Sequence, residues 1–132
     1  MTLRQAQGDL VGAVRAEPVE ALLETRALAL AAAGRELVRH LDWQIEPGQR
    51  WCVIGRYAAG KSSLLRALAG VGEVGVAQRG EVQWQGRPQR GWPAIDAAAL
   101  RAFMPQQAID RFPITVARLL ELPRQIASAV LQ

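Results

Sequence analysis

The stretch Gly55-Arg56-Tyr57-Ala58-Ala59-Gly60-Lys61-Ser62 separates a short apolar run, Trp51-Cys52-Val53-Ile54, from a segment with Leu64, Leu65 and Leu68 on one helical face. A chain that passes from strand to helix between two glycines has few folds open to it. It must turn sharply, and the turn must leave main-chain amides unpaired at the start of the helix. The octet fits the pattern glycine, any four residues, glycine, lysine, serine or threonine, which defines a phosphate-binding P-loop. Such a loop curls so that successive N–H groups point at one anion. The helix behind it adds its own free amides and the positive end of its dipole. Four specified positions arise by chance in a chain this long at roughly half a per cent, given average residue usage. Lys61 is also the only lysine, and every other basic residue apart from one histidine is arginine. A compact ammonium suits a phosphate cluster as a point charge, whereas a guanidinium is a bulkier planar fork. The cofactor-binding residues expected on this pattern are Gly55, Arg56, Tyr57, Ala58, Ala59, Gly60, Lys61, Ser62 and Ser63. By analogy with the motif, Lys61 reaches the outer phosphates and Ser62 offers its hydroxyl to Mg²⁺. Ala58 lacks glycine's conformational freedom, and Tyr57 is bulky for the outer curve of such a loop.

The rest of the composition narrows the function classes. The 132 residues suit one small domain or part of a larger one, and half of them are hydrophobic. The net charge of +4 is modest, and the basic residues are scattered without a run, which argues against nucleic acid as a partner. A lone cysteine, Cys52, excludes an internal disulfide and fits a reducing cytoplasm. Its apolar strand-like surroundings predict a buried filler. The longest apolar run, Ala27 to Ala33, is far short of a membrane span. The N-terminus, with Arg4 and Asp9, does not read as a secretion signal, so any membrane link is expected through a partner.

Met1 to about Glu20 carry little pattern. Leu3-Arg4-Gln5-Ala6-Gln7-Gly8 and Val14-Arg15-Ala16-Glu17-Pro18-Val19-Glu20-Ala21 resemble the translation of an interspersed bacterial DNA repeat. Residues 1–22 are accordingly expected to be a poorly structured extension. Pro18 to Ala33 read two ways: as a helix with Gly34 as its C-cap, or as an edge strand around Leu28 and Leu30. Leu41, Trp43 and Ile45 alternate with Asp42, Gln44 and Glu46, the period of a half-buried strand. Pro47-Gly48 is a turn, and Arg50 to Ile54 the strand that enters the loop. Lys61 to Ala69 is the helix that leaves it, with Gly70 as C-cap. Val71 to Gly80 reads as loop. Glu81 to Gln85 alternates again, with Val82 and Trp84 on one face. Ile95 to Ala102 suits a helix, Phe103-Met104 a short strand stopped by Pro105, and Thr115 the cap of a last helix through Leu122.

Gly55 to Leu65 followed by Arg66-Ala67-Leu68-Ala69-Gly70 resembles the ATP-binding subunit of ABC transporters. The likeness extends to Leu41 through Gly48, similar to that family's strand and turn before the loop. Gly80-Glu81-Val82-Gln83-Trp84-Gln85-Gly86-Arg87-Pro88 is similar to its hairpin, Phe103-Met104-Pro105-Gln106 to its Q-loop, and Phe112-Pro113-Ile114-Thr115-Val116 to the segment after it. The resemblance covers roughly Leu23 to Leu122. It implies an α/β fold: a partial P-loop NTPase core of the ABC ATPase type with an antiparallel β-subdomain, occupying residues 23–132. It further implies ATP and Mg²⁺ as cofactors, and Gln106 as the catalytic Q-loop residue that touches the Mg²⁺ or the attacking water. Gln107 is the neighbour it can be confused with, and a polar turn residue after Pro105 is the plainer reading of Gln106. The implied partners are a membrane permease and a second ATP-binding subunit, with the chain cytoplasmic and peripheral to the inner membrane when assembled. The region around Phe103 to Val116 leans toward importers of metal chelates or cobalamin.

The same family leads one to expect features that these residues do not carry. Its signature motif needs a glycine pair after the Q-loop, yet no glycine follows Gly91. Its Walker B strand ends in Asp-Glu and lies beside the P-loop strand; nothing after Gln106 supplies it. The only histidine, His40, precedes the loop, where the family's switch histidine comes late, and it reads as a surface residue. The loop upstream of the P-loop, Ala31-Ala32-Ala33-Gly34, has no aromatic to stack on adenine. The expectation is therefore a domain truncated before the Walker B strand, binding ATP without hydrolysing it alone, with a bare apolar edge on the P-loop strand. The alternatives are a non-catalytic remnant without nucleotide, a different P-loop enzyme such as a small-molecule kinase, or a basic module that binds DNA.

Overall fold

A computed structural model describes residues 21–106 and 114–121, together with the main chain of residues 2–6. The chain divides into two compact units, residues 1–91 and 92–132. In the first unit, strand β2 (Leu23–Ala32) lies between β3 (Arg35–Ile45) and β5 (Val76–Trp84), and β6 (Arg87–Pro88) closes the order β3-β2-β5-β6. Every pairing in this sheet is antiparallel. The alanine- and leucine-rich stretch is thus a strand, and a central one. Its helical propensity is a few tenths of a kcal/mol per residue. Burying Leu28 and Leu30, 0% and 1% exposed, is worth about 1.5 to 3 kcal/mol each. Tertiary burial wins.

Gly34 caps no helix. With Ala33 it forms the two-residue turn between β2 and β3, with φ of 75° and 49°. Positive φ at both positions matches the twist of the flanking strands. Near the middle of β2 the ladders to β3 and β5 change register around Ala27, whose φ is 47°. The polar groups freed by this bulge find partners: Ala27 N donates to Asp42 Oδ1 at 2.6 Å, and Thr25 Oγ1 donates to Leu41 O at 2.9 Å. Gly80 faces the bulge so closely that a Cβ there would meet Ala27 O at 2.3 Å. β5 begins at Val76, inside the stretch expected to be loop. Its first residues pair with Ala31 and Ala32, so cross-strand bonding extends the strand beyond its hydrophobic alternation.

Strand β4 (Arg50–Ile54) stands outside that sheet. It pairs antiparallel with β1 (Thr2–Ala6), Thr2 opposite Ile54 and Ala6 opposite Arg50. For residues 2–6 a strand replaces the expected lack of structure, and one edge of β4 is covered where a bare edge was expected; residues 7–20 lie outside the described ones. Cys52 is exposed, not buried. The reason is the small size of this sheet: Arg50, Cys52 and Ile54 alternate as its exposed face.

Helix α1 (Lys61–Leu68) buries Leu64, Ala67 and Leu68. Its end is a full Schellman motif: Val71 N donates to Arg66 O and Gly70 N to Ala67 O, with Gly70 at φ 67°. In the second unit, α2 (Ala94–Leu100) is two residues shorter at its C-terminus than expected, ending at extended Arg101. Phe103-Met104 form no strand. A helical turn at 116–121 starts from Thr115, whose Oγ1 accepts Arg118 N at 3.3 Å. Among the described residues no helix is long and apolar enough to cross a membrane.

Candidate phosphate-binding site

β4 delivers the chain to Gly55, and α1 begins six residues later at Lys61, so the order strand, loop, helix is realised. Lys61 folds back over the loop. Its Nζ donates to Gly55 O at 2.9 Å and to Arg56 O at 2.7 Å, closing the loop's last position onto its first two. A turn bond from Ala59 N to Arg56 O at 3.2 Å tightens the curve between them. Gly60, the N-cap of α1, has φ 88°, and a Cβ there would lie 2.9 Å from Leu37 Cβ. Glycine is needed at this position for its conformation and for the approach to β3.

No side chain caps α1, and its first turn carries no acidic residue. Its first amides are therefore free of any side-chain acceptor, the arrangement that favours an anion. Between Glu46 and Glu73 the sequence holds Arg50, Arg56, Lys61 and Arg66 and no carboxylate. Arg56 and Ser62 are exposed, and Ser63 is half-buried in a hollow of about 260 Å³ that is also lined by Arg66, Glu73, Gln78 and Arg90. Tyr57 is fully exposed, so its bulk stays out of the curve. Ala58 sits at φ 57°, in the left-handed region. The loop demands there the freedom that alanine lacks, at a cost of about 1–2 kcal/mol.

Helix α1 is fixed to the sheet at its far end. Trp84 Nε1 donates to Leu68 O at 2.9 Å, and Gln89 Nε2 donates to Ala67 O at 2.8 Å. Both acceptors belong to the last turn, whose carbonyls lack intrahelical partners. A Cβ on Gly70 would approach the Trp84 ring to 2.9 Å. Trp84 and Gln89 thus aim the helix, a role that the apolar alternation around Trp84 did not signal. The Gln85-Gly86 turn, with both φ values positive, is the legible trace of the hairpin that brings them there.

Gln106 is exposed at a bend in the unit 92–132; Gln107, Phe112 and Pro113 lie outside the described residues. Ala31 and Gly34 line a different hollow of about 520 Å³, whose only ring among the described residues is the exposed imidazole of His40. Among the described residues no group of three or more His, Cys, Asp or Glu side chains is placed to hold a metal. A Mg²⁺ here would depend on the Ser62 hydroxyl and on phosphate oxygens.

The pattern that defines the ABC transporter family matches residues 38–120. An uncharacterized ABC transporter ATP-binding protein of Haemophilus influenzae is 34% identical over 96 residues, spanning 72% of this chain and 35% of that protein. A hemin import ATP-binding protein of Burkholderia lata is 35% identical over 108 residues, 78% of this chain and 40% of its own length. One of Streptomyces coelicolor is 35% identical over 109 residues, 83% of this chain and 38% of its own length. The chain spans about two fifths of the length of these relatives.

Proposed function

We propose that this chain, which belongs to the ABC transporter family, binds ATP–Mg²⁺ through Gly55–Ser63 as part of an ATP-binding subunit that drives transport. The observation that carries the reading is the closed loop between β4 and α1, latched by Lys61 Nζ on Gly55 O and Arg56 O. In this reading Lys61 turns its ammonium to the outer phosphates. The amides of Gly60 to Ser63 donate to phosphate oxygens, and Ser62 ligates the metal. Bound ATP supplies the phosphoanhydride whose cleavage powers transport. Gln106 is the residue we assign to the metal or the attacking water, and residues 23–132 to the ATP-binding domain. The partners are a membrane permease and a second ATP-binding subunit, met at the cytoplasmic face of the inner membrane. The hemin import relatives make a metal-chelate importer the reading of the cargo we favour.

Cleavage itself requires a carboxylate to activate water. The 132 residues contain no Asp-Glu pair, so on their own they bind ATP without turning it over. The test is equilibrium dialysis of ATP–Mg²⁺ against the chain and Lys61→Ala. Loss of the ammonium removes charge-assisted bonds worth about 1.5–3 kcal/mol each, so affinity should fall roughly tenfold to over a hundredfold. Equal affinities of the two proteins, or none in either, would favour a remnant without nucleotide. Phosphoryl transfer to a small acceptor would favour a kinase.

A further inference from the structure

We propose that residues 2–6 position the phosphate loop: β1 is the strand that holds β4, and its ladder ends where the loop begins. The proposal rests on the reading of Gly55–Ser63 as a phosphate site and adds to it a segment that the sequence pattern left without a role. Five consecutive pairs run without a register shift from Ala6 opposite Arg50 to Thr2 opposite Ile54. The next two residues are Gly55 and Arg56, the acceptors of Lys61 Nζ. Among the described residues β4 shares a ladder with no strand but β1. Among the described residues its other attachments include the Trp51 ring, edge-on to Trp43 at 5.1 Å, and the bond from Trp51 Nε1 to Gln49 Oε1 at 3.1 Å, and Val53 is half-buried. Both Trp51 contacts lie toward the start of β4, three or more residues before the loop. At the loop end, the main chain of β1 is what fixes the direction of Ile54 and hence the placing of the two carbonyls. β1 therefore acts through β4 as a positioning strand for the loop.

Strand geometry supplies a test with its own control. Successive N–H groups along a strand point to opposite sides, so only every second residue of β1 donates to β4. Proline has no N–H, and it is tolerated where that group faces outward from an edge strand. Leu3→Pro and Arg4→Pro, each made in the full chain, must therefore differ. One removes a ladder bond and the other does not; amide exchange of the parent chain shows which is which. For the ladder-breaking variant we expect exchange in β4 and in residues 55–61 to rise at least tenfold and ATP–Mg²⁺ affinity to drop about tenfold. Exchange in β2 and β5 should stay as it was, and the other variant should remain within twofold of the parent in every readout. Two variants that behave alike, both silent or both damaging, overturn the proposal. A parent chain that fails to bind ATP–Mg²⁺ counts against the phosphate-site reading, while exchange in β4 and the loop still decides the role of β1.

Discussion

The four-stranded sheet and the β1–β4 ribbon of the same unit differ in how they are held. The sheet buries Leu28, Leu30, Val82 and Trp84 to 5% exposure or less and satisfies its bulge with Thr25 and Asp42. The ribbon leaves Arg50, Cys52 and Ile54 facing out, Ile54 at 48%. Isolated two-stranded ribbons are marginal in water. The strand that leads into the phosphate loop is thus the less buried of the two regions, and the sheet carries the stability. α1 joins them: its first turn ends the loop, and its last turn is bonded to Trp84 and Gln89. On the proposed reading the loop receives and releases ATP, and such a division would suit it, because low-burial segments open at little cost to the whole.

Point substitutions in the two regions should separate them. Leu28→Ala removes a side chain with 0% exposure and should cost about 2–5 kcal/mol, read as a lower urea midpoint. Cys52→Ala in the ribbon should change it by less than about 0.5 kcal/mol. Similar losses at the two sites would erase the distinction. Trp84→Phe keeps a buried ring but strips one of the two donors from Leu68 O, leaving it the bond from Gln89 Nε2 at 3.1 Å. We expect a loss of about 0.5–1.5 kcal/mol in urea unfolding. Ala58→Gly should act in the opposite sense. Relief of the left-handed alanine should add about 1 kcal/mol of stability and tighten ATP binding by a few-fold in calorimetry. The smallest effect is at the exposed Glu36–Arg39 pair. The hydrogen bond from Arg39 holds the Glu36 carboxyl below the usual glutamate range. A lowered folded value contributes stability above the unfolded value and loses it as pH falls through the folded one. The urea midpoint of the parent chain should therefore exceed that of Glu36→Gln slightly at neutral pH, and the gap should close on acidification.

What the sequence revealed followed local chemistry. The P-loop pattern located Gly55 to Lys61, strict alternation located Trp43 and Val82, and Thr115 marked a helix start, because each of these is decided by neighbours in the chain. The Ala- and Leu-rich stretch 27–33 stayed ambiguous because its side chains suit helix and buried strand alike. Leu28 becomes a strand residue only when β3 and β5 flank it. Residues 2–6 were illegible for the same reason, since their structure consists of bonds to a strand some fifty positions away. Cys52 reads as buried and lies exposed because an apolar run says nothing of how many strands will cover it. Trp84 is legible as a hairpin residue and Gln89 is not, and the bonds of both to the end of α1 depend on tertiary placement.

On the proposed reading the amides of Gly60 to Ser63 surround one anion site closed by Lys61. Following those amides by ¹⁵N-resolved NMR during titration with ATP–Mg²⁺ tests it most directly. We expect saturable downfield shifts at Gly60, Lys61, Ser62 and Ser63, with Val82 and Leu30 unmoved, and in Lys61→Ala a midpoint at least about tenfold higher in ATP–Mg²⁺. Saturation with no shift in that stretch, or an unchanged midpoint without the lysine, would contradict it.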